Sequence, residues 1–330
     1  MHSLEKRGIG TAHSKVILIG EHAVVYGEPA IALPFPRVLA TSVVEENHGP
    51  ILVESKQYTG PLDQIPDRMK GLALCVKETM KELNQSEEDL KISLQSEIPI
   101  GRGLGSSAAT ALAIVRGLAS FFQKPLPKDK LLSLGNVAEK YAHGNPSGID
   151  IEAVFHDCPI WFRKGEQPKS VFIQSSFYLV VSDTGEIGNT RLAVNSILEK
   201  RETDLLNTER AIKRLGVLTE KAKNALQQGN LEELGKFLNG AQIELQHLGV
   251  SDKNIDYLVE IAKKAGALGA KLTGGGRGGC MIALAKEEGQ ASFIAKALTE
   301  AGANKTWFFK VDATNENLFD EWGENIESNS

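Results

Sequence analysis

The residues whose types and spacing most clearly suit a chemical function lie in a glycine-rich segment at positions 99–109. Its sequence, PIGRGLGSSAA, runs from a strand-like stretch into a helical one. Glycine lets successive backbone N–H groups turn towards one point, and the N-terminus of the following helix adds unpaired donors and the positive end of its dipole. The segment therefore predicts a phosphate-binding loop, in which Ser106 or Ser107 caps the helix or binds Mg²⁺ through its hydroxyl.

Two common nucleotide-binding patterns fit this segment less well. The Walker pattern requires a lysine before the serines, and none is present. Gly103 to Ala108 matches the dinucleotide pattern GxGxxA, but the acidic residue about 20 positions further on, Asp129, follows Pro125 and Pro127 instead of ending a strand. A capped helix after a tight turn, with no ligand, is the remaining alternative.

A second cluster has glycine at 274–276 and 278–279. It contains a GxGxxG sequence, but an apolar strand follows it where the dinucleotide motif needs a helix, so this match is accidental. Consecutive glycines are unfavourable in a packed element, and we therefore expect this loop to touch another backbone or a ligand. A flexible surface loop is the alternative.

Charged residues near turns are the other candidates. Asp150 follows a rigid Asn-Pro-Ser-Gly turn, and Glu139 lies in a helical stretch 11 residues earlier. Phosphoryl transfer needs a carboxylate to hold Mg²⁺ and often a second one to orient the acceptor hydroxyl. Lys15 opens an apolar strand, and Glu21 and His22 follow in a polar segment. Taken singly, Asp150 and Glu139 are typical of ordinary surface acids, a lysine at a strand start is usually solvated, and the Glu21-His22 pair is a weak signal.

Three segments in this order, at 15–27, 99–109 and 271–280, resemble the signature motifs of the GHMP small-molecule kinases. Within that family, GEHAVVYG at 20–27 and HGNPSGID at 143–150 are most similar to the members that phosphorylate mevalonate. The resemblance implies an α+β, two-domain GHMP kinase fold. Its N-terminal domain would contain a left-handed βαβ unit, its C-terminal domain would be ferredoxin-like, and the active site would lie in the cleft between them.

The resemblance also implies roles for single residues. Asp150 is expected to act on the C5 hydroxyl of mevalonate, either as a base that removes its proton or as a group that orients it, with Lys15 beside it. Ser107 and Glu139 are expected to hold Mg²⁺. ATP is expected on the loop formed by Pro99, Gly101, Arg102, Gly103, Leu104, Gly105, Ser106, Ser107, Ala108 and Ala109. The residues expected to bind mevalonate are Glu21, His22, Thr190, Arg191, Gly274 and Gly275. The implied reaction is ATP-dependent formation of 5-phosphomevalonate, a step of isoprenoid precursor biosynthesis.

Two arginines depart from the family pattern. Members often carry a small residue where Arg102 stands, and Gly or Ala where Arg277 stands. Because both lie in loops expected to line nucleotide or substrate, we hypothesise that at least one guanidinium reaches bound phosphate. A solvated arginine at a loop tip is the alternative.

Two other functions share some of these features. Phosphomevalonate kinase or another small-molecule kinase of the family would carry the same motifs, but an anionic acceptor calls for more basic residues in its pocket. A non-catalytic nucleotide-binding regulator with the same fold is a further alternative. A regulator has no use for a base, and the combination of Lys15, Ser107, Glu139 and Asp150 argues against it.

Hydrophobic patterning assigns these motifs to elements. Strands are predicted at 15–19, 30–33, 51–54, 91–98, 177–182, 280–285 and 306–311. Helices are predicted at 68–83, 106–122, 131–142, 190–228 with a break near Gly216, 230–248, 252–265 and 290–301. A polar, irregular stretch at 162–168 predicts a domain boundary, which divides 1–167 from 168–330. In the acidic tail, Leu318, Trp322 and Ile326 recur every fourth residue, which predicts a helix that docks by one face.

Composition limits the classes of partner. The 330 residues include 37 Lys and Arg and 42 Asp and Glu, so the formal net charge is 37 − 42 = −5, which excludes a broad nucleic-acid-binding surface. Three widely separated cysteines with no CxxC pair indicate a reducing compartment. The N-terminus resembles neither a signal peptide nor a membrane span. We therefore expect a cytoplasmic protein without membrane partners, and a homodimer is compatible with these features.

Overall fold

A computed structural model of the protein describes residues 6–143 and 146–314. The strands in these residues are β1 Arg7–Ile19, β2 Ala30–Pro50, β3 Leu52–Ser55, β4 Tyr58–Pro61, β5 Glu88–Ser96, β6 Ile160–Phe162, β7 Lys169–Ser170, β8 Phe177–Asp183, β9 Gly269–Thr273, β10 Cys280–Ala285 and β11 Lys305–Val311. The α-helices are α1 Lys70–Glu82, α2 Ser106–Phe122, α3 Lys128–His143, α4 Ile149–Phe155, α5 Thr190–Thr203, α6 Leu205–Gln228, α7 Leu231–His247, α8 Lys253–Lys264 and α9 Glu288–Glu300. None of these described helices combines the length and the apolar character that crossing a bilayer requires.

Two compact units are each assembled from separate segments of the chain. The first unit takes the described parts of Met1–Val16, Pro34–Ile100 and Leu104–Asp157, and the second takes those of Ile17–Leu33, Gly101–Gly103 and Cys158–Ser330. The division of the sequence into 1–167 and 168–330, which rests on the polar and irregular stretch at 162–168, stays a prediction.

The first unit contains a sheet in which two parallel strands are connected through a helix. Strands β4, β3, β5 and β2 are neighbours in that order, and β1 pairs with β2. β3 and β5 run parallel, and both β4 and α1 lie between them in the chain, whereas β2 and β5 run antiparallel. Apolar residues of α1, α2 and these strands share one buried cluster, which includes Val76, Met80, Ile92 and Leu118. The hand of the βαβ unit stays a prediction.

Strand β1 begins well before the predicted strand, at Arg7. The buried face of its first half carries small residues at every second position, namely Gly8, Gly10, Ala12 and Ser14. A Cβ on Gly8 would lie 2.4 Å from the backbone nitrogen of Phe121, and one on Gly10 would lie 2.1 Å from the carbonyl oxygen of Ala113. The strand therefore packs closely against the backbone of α2. The prediction missed this half of the strand because its buried residues are small, whereas the prediction relied on runs of large apolar side chains.

The second unit contains a four-stranded antiparallel sheet. Its strand order is β11-β8-β10-β9, and chain order is β8, helices α5 to α8, β9, β10, α9 and β11. This βαββαβ succession, with the last strand beside the first, is the ferredoxin-like topology. The ferredoxin-like prediction is confirmed. The start of β2 pairs with β6, and β6 pairs with β7, in the same unit.

The long helical stretch 190–228 breaks at Asp204, so the predicted break near Gly216 is wrong. Asp204 caps α6, because its carboxylate accepts a hydrogen bond from the backbone N–H of Asn207. Gly216 lies inside α6, where a Cβ would stand 2.0 Å from a carboxylate oxygen of Glu28. Glycine at this position serves a close contact and does not end the helix.

The other predicted elements within the described residues are confirmed, and α2 and β10 match their predictions at both ends. The prediction missed the short strands β4, β6 and β7, the strand β9, whose apolar run is interrupted by a lysine, and the helix α4, which has only 7 residues. The predicted helix that contains Trp322 lies outside the described residues.

Candidate active site

The predicted phosphate-binding loop ends at the N-terminus of α2. Gly105 is the N-cap residue, with φ +73°, a left-handed conformation that favours glycine. The cap expected from Ser106 or Ser107 is not formed, because the N-cap is a glycine and the Ser106 hydroxyl instead contacts the carbonyl oxygen of Ile98 at 3.5 Å. The first backbone N–H groups of α2 therefore have no side-chain cap, which is the arrangement an anion needs.

Lys15 and Asp150 form an ion pair within the first unit. Lys15 Nζ lies 2.8 Å from Asp150 Oδ1, and the lysine side chain is 1% exposed while the aspartate side chain is 33% exposed. Asp150 stands in the first turn of α4, where a carboxylate also interacts favourably with the helix dipole. The predicted pairing of these two residues is present, and the alternative of a solvated Lys15 is wrong.

The same lysine packs against the phosphate-binding loop. A Cβ on Gly105 would lie 3.0 Å from Cγ and 3.2 Å from Cε of Lys15, and 3.3 Å from a methyl group of Val154. The backbone N–H of Lys15 and the hydroxyl of Ser14 both donate to the carbonyl oxygen of Leu104, at 3.2 and 2.6 Å. Strand β1 thus fixes the end of the loop and the ammonium together.

A cavity of about 310 Å³ lies beside the start of α2 in the first unit. Its lining consists of Asp67, Arg68, Gly71, Leu72, Ser107, Ala138, Tyr141 and Ala142. Ser107 is a predicted metal and nucleotide ligand, and Ala138 precedes the other predicted metal ligand, Glu139, on α3. The cavity combines apolar surface from Leu72 and Tyr141 with a hydroxyl at the phosphate-binding loop.

Glu139 is buried, at 3% exposure. A hydroxyl and a carboxylate are oxygen donors, which Mg²⁺ prefers, and Mg²⁺ usually keeps several waters and takes only one or two protein ligands. Within residues 6–143 and 146–314, no group of three or more His, Cys, Asp or Glu side chains could hold a metal ion. The donor set of Ser107 and Glu139 fits a magnesium ion held mainly by phosphate and water.

In the second unit, Glu21 forms a buried ion pair with Lys271 of β9. The two side chains are 1% and 0% exposed, and Lys271 also donates to the carbonyl oxygen of Leu272. Burial lowers the pKa of Lys271, and the charge and hydrogen bond of Glu21 act in the opposite direction. When both groups are ionised, the ammonium and the carboxylate compensate each other's buried charge.

His22 follows in the same segment and contacts the second glycine cluster. Its Nε2 lies 3.0 Å from the carbonyl oxygen of Gly275, and since a carbonyl only accepts, Nε2 carries the proton. Burial lowers the pKa of His22 to about 4, the hydrogen bond to Gly275 raises it, and the charge of Lys271 lowers it. His22 is therefore neutral at pH 7. Its φ of +60° is rare outside glycine and is held by this packing.

The two glycine clusters touch each other. A Cβ on Gly274 would lie 2.6 Å from Cα of Gly103, and a Cβ on Gly103 would lie 2.9 Å from the carbonyl oxygen of Thr273. Both glycines have positive φ, at +78° for Gly103 and +81° for Gly274. The expectation that the second cluster meets another backbone is confirmed, and a flexible surface loop is excluded for it.

Thr190 joins this contact from the start of α5. A Cβ on Gly275 would lie 2.2 Å from Thr190 Oγ1, so the threonine side chain covers that glycine. Asn189 caps α5 by accepting from the N–H of Leu192 at 3.0 Å, and its own N–H donates to the carbonyl oxygen of Arg277 at 3.1 Å. Arg191 occupies the first turn of α5.

Arg102 and Arg277 both use their guanidinium groups on the protein. Arg102 pairs with the buried Asp183 at 3.2 Å and donates to the carbonyl oxygen of Gly185 at 2.6 Å. Arg277 donates to the carbonyl oxygen of Gly249 at 2.9 Å and to the Ser196 hydroxyl at 2.6 Å. Among the described residues, Nη1 of Arg102 is buried and has no hydrogen-bond partner. Of the two arginines, Arg102 is thus the one that keeps a buried donor available.

Comparison with known proteins gives the family. The model for the GHMP kinases N terminal domain matches residues 70–157, and the model for the GHMP kinases C terminal domain matches residues 222–304. A relative named mevalonate kinase, from Thermococcus gammatolerans, is 34% identical over 319 residues, which cover 90% of this chain and 94% of the relative. The chain belongs to the mevalonate kinases of the GHMP family. It is therefore an enzyme, a small-molecule kinase.

Solved structures of mevalonate kinases share its architecture. The L. major mevalonate kinase in complex with R-mevalonate has a TM-score of 0.81 and 27% identity, with 94% of this chain and 98% of that chain covered. The mevalonate kinase of methicillin-resistant Staphylococcus aureus MRSA252 has a TM-score of 0.69 and 36% identity, with 92% and 98% covered. The two-domain GHMP kinase fold predicted from the motifs is confirmed.

The predicted site residues of this kinase fall into two groups. The first unit brings together Lys15, Asp150 and the loop residues from Leu104 onwards. The second unit brings together His22, Gly275 and Thr190, with Glu21 beside His22 and Gly274 beside Gly275.

Sequence reasoning missed Lys271 as a partner of Glu21. The available signal was a lysine in the otherwise apolar run 268–272, where a charge must be paired if the strand is buried. Thr273, which connects distant segments, was missed as well. Its hydroxyl accepts from the N–H of Ile17 and donates to the Ile17 carbonyl, at 2.9 and 3.0 Å.

Proposed function

We propose that this kinase transfers the γ-phosphoryl group of ATP to the C5 hydroxyl of mevalonate and releases ADP and 5-phosphomevalonate, a step of the mevalonate pathway. The observation that carries the proposal is the Lys15–Asp150 pair, at 2.8 Å, in a chain of this family. A carboxylate that is partly exposed and backed by a buried ammonium suits an acceptor alcohol, which must lose a proton as its oxygen attacks phosphorus.

The proposed step is an in-line displacement. The C5 oxygen of mevalonate forms a bond to the γ-phosphorus, the bond from that phosphorus to the β,γ-bridging oxygen breaks, and the hydroxyl proton passes to Asp150. Lys15 orients the carboxylate and stabilises negative charge that develops on the attacking oxygen. The leaving group is ADP.

ATP would lie along the phosphate-binding loop. The uncapped N–H groups at the start of α2 support binding of the phosphates, and the cavity lined by Leu72, Ser107 and Tyr141 supports binding of the base or ribose. Nη1 of Arg102 is the buried donor that we assign to a phosphate oxygen.

Ser107 and Glu139 are the residues that we propose for Mg²⁺. When bound, the ion would neutralise charge on the transferring phosphoryl group. The fit rests on donor chemistry, because both side chains are oxygen donors, and the buried Glu139 directly follows Ala138, which lines the same cavity as Ser107.

Mevalonate would be held by Glu21, His22, Thr190, Arg191, Gly274 and Gly275. A neutral His22 that donates from Nε2 keeps Nδ1 as an acceptor for a substrate hydroxyl. Arg191, in the first turn of α5, is the cation that we assign to the mevalonate carboxylate. A cytoplasmic location and a homodimer stay predictions.

The experiment compares wild type, Asp150→Asn and the matched control Asp157→Asn, whose side chain is 92% exposed beside His13. ADP release is measured with R-mevalonate and, separately, with 5-phosphomevalonate, and the product is identified by mass spectrometry. We expect phosphorylation of mevalonate by wild type and Asp157→Asn, and a fall in kcat of about 10²–10⁴-fold in Asp150→Asn. Turnover of 5-phosphomevalonate alone would favour phosphomevalonate kinase activity. Full activity of Asp150→Asn would disprove the catalytic assignment.

A further inference from the structure

A groove of about 480 Å³ runs between α6 and α7 in the second unit, and we name it the α6–α7 groove. Its floor is apolar: Val217 and Leu218 come from α6 and Ile243 from α7. Val217 and Ile243 are 48% and 51% exposed. Gly240 of α7 adds no side chain to this lining, and a Cβ there would stand 3.4 Å from both methyl groups of Leu218.

The rim of the groove is basic. Its cations are Arg210, Lys213, Arg214 and Lys221, all from α6, and among the described residues Glu244 is the one acidic residue in the lining. Arg214 contacts Glu244 at 3.4 Å and Lys213 contacts Glu28 at 3.1 Å, yet their side chains are 64% and 76% exposed. An apolar floor under a basic rim fits a ligand that is itself amphipathic and acidic.

The segment 315–330 of the same chain has that chemistry. It contains five acidic residues and no Lys or Arg, so of the 42 acidic residues 37 remain in 1–314, where they balance the 37 Lys and Arg. The formal net charge of the protein thus resides in this segment. Leu318, Trp322 and Ile326 recur every fourth residue and would share one face of a helix, with carboxylates on the other faces.

Thr314, the last described residue, lies close to one end of the groove. The N–H of Thr314 donates to the carbonyl oxygen of Ile173 at 2.9 Å, and the next residue, Gln174, donates to the carbonyl oxygen of Leu226 at 3.0 Å. Leu226 is in the last turn of α6, and from it back to Arg210 the helix spans about 24 Å. Sixteen residues reach about 24 Å as a helix and about 50 Å extended, so segment 315–330 is long enough to follow the groove.

We propose that residues 315–330 bind the α6–α7 groove of their own chain. The apolar residues Leu318, Trp322 and Ile326 lie on the floor, and the carboxylates face the basic rim. Tethering at Thr314 makes the association intramolecular, so a modest intrinsic affinity suffices for the segment to stay bound.

Zero-length carbodiimide cross-linking of the full chain, followed by peptide mass spectrometry, tests the proposal. We expect amide links from Lys213 or Lys221 to acidic residues of segment 315–330, and a control link between Lys77 and Asp63, whose charged atoms lie 2.6 Å apart. A mixture of ¹⁴N- and ¹⁵N-labelled protein separates links within a chain from links between chains. If the control link forms without a groove link, or if groove links join only different chains, the proposal is wrong.

Two matched variants of the full chain add a second test. Ile243→Asp places a charge on the floor, and Phe293→Asp does the same at a 62% exposed apolar residue of α9. We expect the groove links to be lost in Ile243→Asp and kept in Phe293→Asp, with both variants folded by circular dichroism. Links should also decline in wild type at 1 M salt, where the Debye length falls to about 3 Å. Groove links that survive Ile243→Asp unchanged would overturn the proposal.

Discussion

Lys15 and Asp150 form an ion pair in which only the carboxylate reaches the surface. Their charged atoms are 2.8 Å apart, with the lysine side chain 1% and the aspartate side chain 33% exposed. In the proposed reaction, an incoming hydroxyl would therefore meet the carboxylate, with the ammonium behind it. This asymmetry follows from the elements, since Lys15 lies within the buried strand β1 and Asp150 opens the short helix α4.

Removal of the Lys15 charge should lower the rate of phosphoryl transfer. Lys15→Met removes the charge but keeps most of the buried aliphatic stem. We expect kcat to fall by about 10²–10³-fold, as for the loss of one group that stabilises developing charge. The KM for ATP should change little, because Lys15 is assigned to the acceptor. Lys91→Met is the control, since Lys91 pairs with Glu54 at 2.6 Å on an exposed part of the same unit. Wild-type kcat in Lys15→Met would contradict the assignment.

A methyl group at position 105 should disturb the same lysine. Gly105→Ala forces a left-handed φ of +73° on alanine, which costs about 1–2 kcal/mol, and its Cβ would press on Lys15 at 3.0 Å. Gly49→Ala is the matched control, because its φ is +87° and, apart from its chain neighbours, no atom in the described part of the chain lies within 4 Å of a Cβ there. We expect similar losses of unfolding free energy from strain, but a loss of kcat only in Gly105→Ala. Equal kcat in the two variants would show that this contact does not matter for catalysis.

Much of the fold was predictable because the relevant signals are local. The apolar periodicity and the glycine before Ser106 delimit α2, and the continuous apolar run delimits β10. By contrast, the first half of β1 escaped prediction because Gly8 and Gly10 pack against a helix that lies more than 100 residues further along the chain. Gly216 misled the prediction for the same reason, since its partner, Glu28, is distant in sequence.

The motifs that form the site could be predicted from the sequence, but the contacts between their residues could be predicted only in part. The glycine clusters indicated close backbone approach, and the contact of Gly103 with Gly274 confirms it. Which side chains pair is a property of the tertiary structure: nothing local to Glu21 points to Lys271, which lies 250 residues away. The helix cap expected of the serines failed because Gly105 takes the N-cap position with a conformation that serine rarely adopts.

The buried Glu21–Lys271 pair should show strong coupling. Lys271→Met removes the cation that faces the buried Glu21 carboxylate, and we expect a loss of about 3–5 kcal/mol in the free energy of unfolding. The double variant Glu21→Gln with Lys271→Met removes both charges and should be more stable than Lys271→Met alone. Calorimetric melting of the four proteins in the cycle measures this. A double variant that is destabilised by the sum of the single effects would contradict a specific pair.

His22 should make the stability of the protein sensitive to mild acid. Its pKa is lowered to about 4 by burial, against about 6.5 for an unfolded histidine. Between these values the unfolded chain binds a proton that the folded chain does not, so the free energy of unfolding falls as the pH falls. The contribution of His22 is fully present above pH 6.5 and declines by about 1.4 kcal/mol per pH unit, or about 2 kcal/mol at pH 5.

Substitution of His22 by asparagine isolates this effect, since an amide does not titrate and can still donate to the carbonyl oxygen of Gly275. Urea unfolding at pH 7 and pH 5 should show a drop in unfolding free energy that is about 2 kcal/mol smaller in His22→Asn than in wild type. His48→Asn, at an exposed position, should keep the wild-type drop. If His22→Asn loses as much stability on acidification as wild type does, His22 is not the group that remains neutral, and its assignment as a neutral donor to Gly275 fails with it.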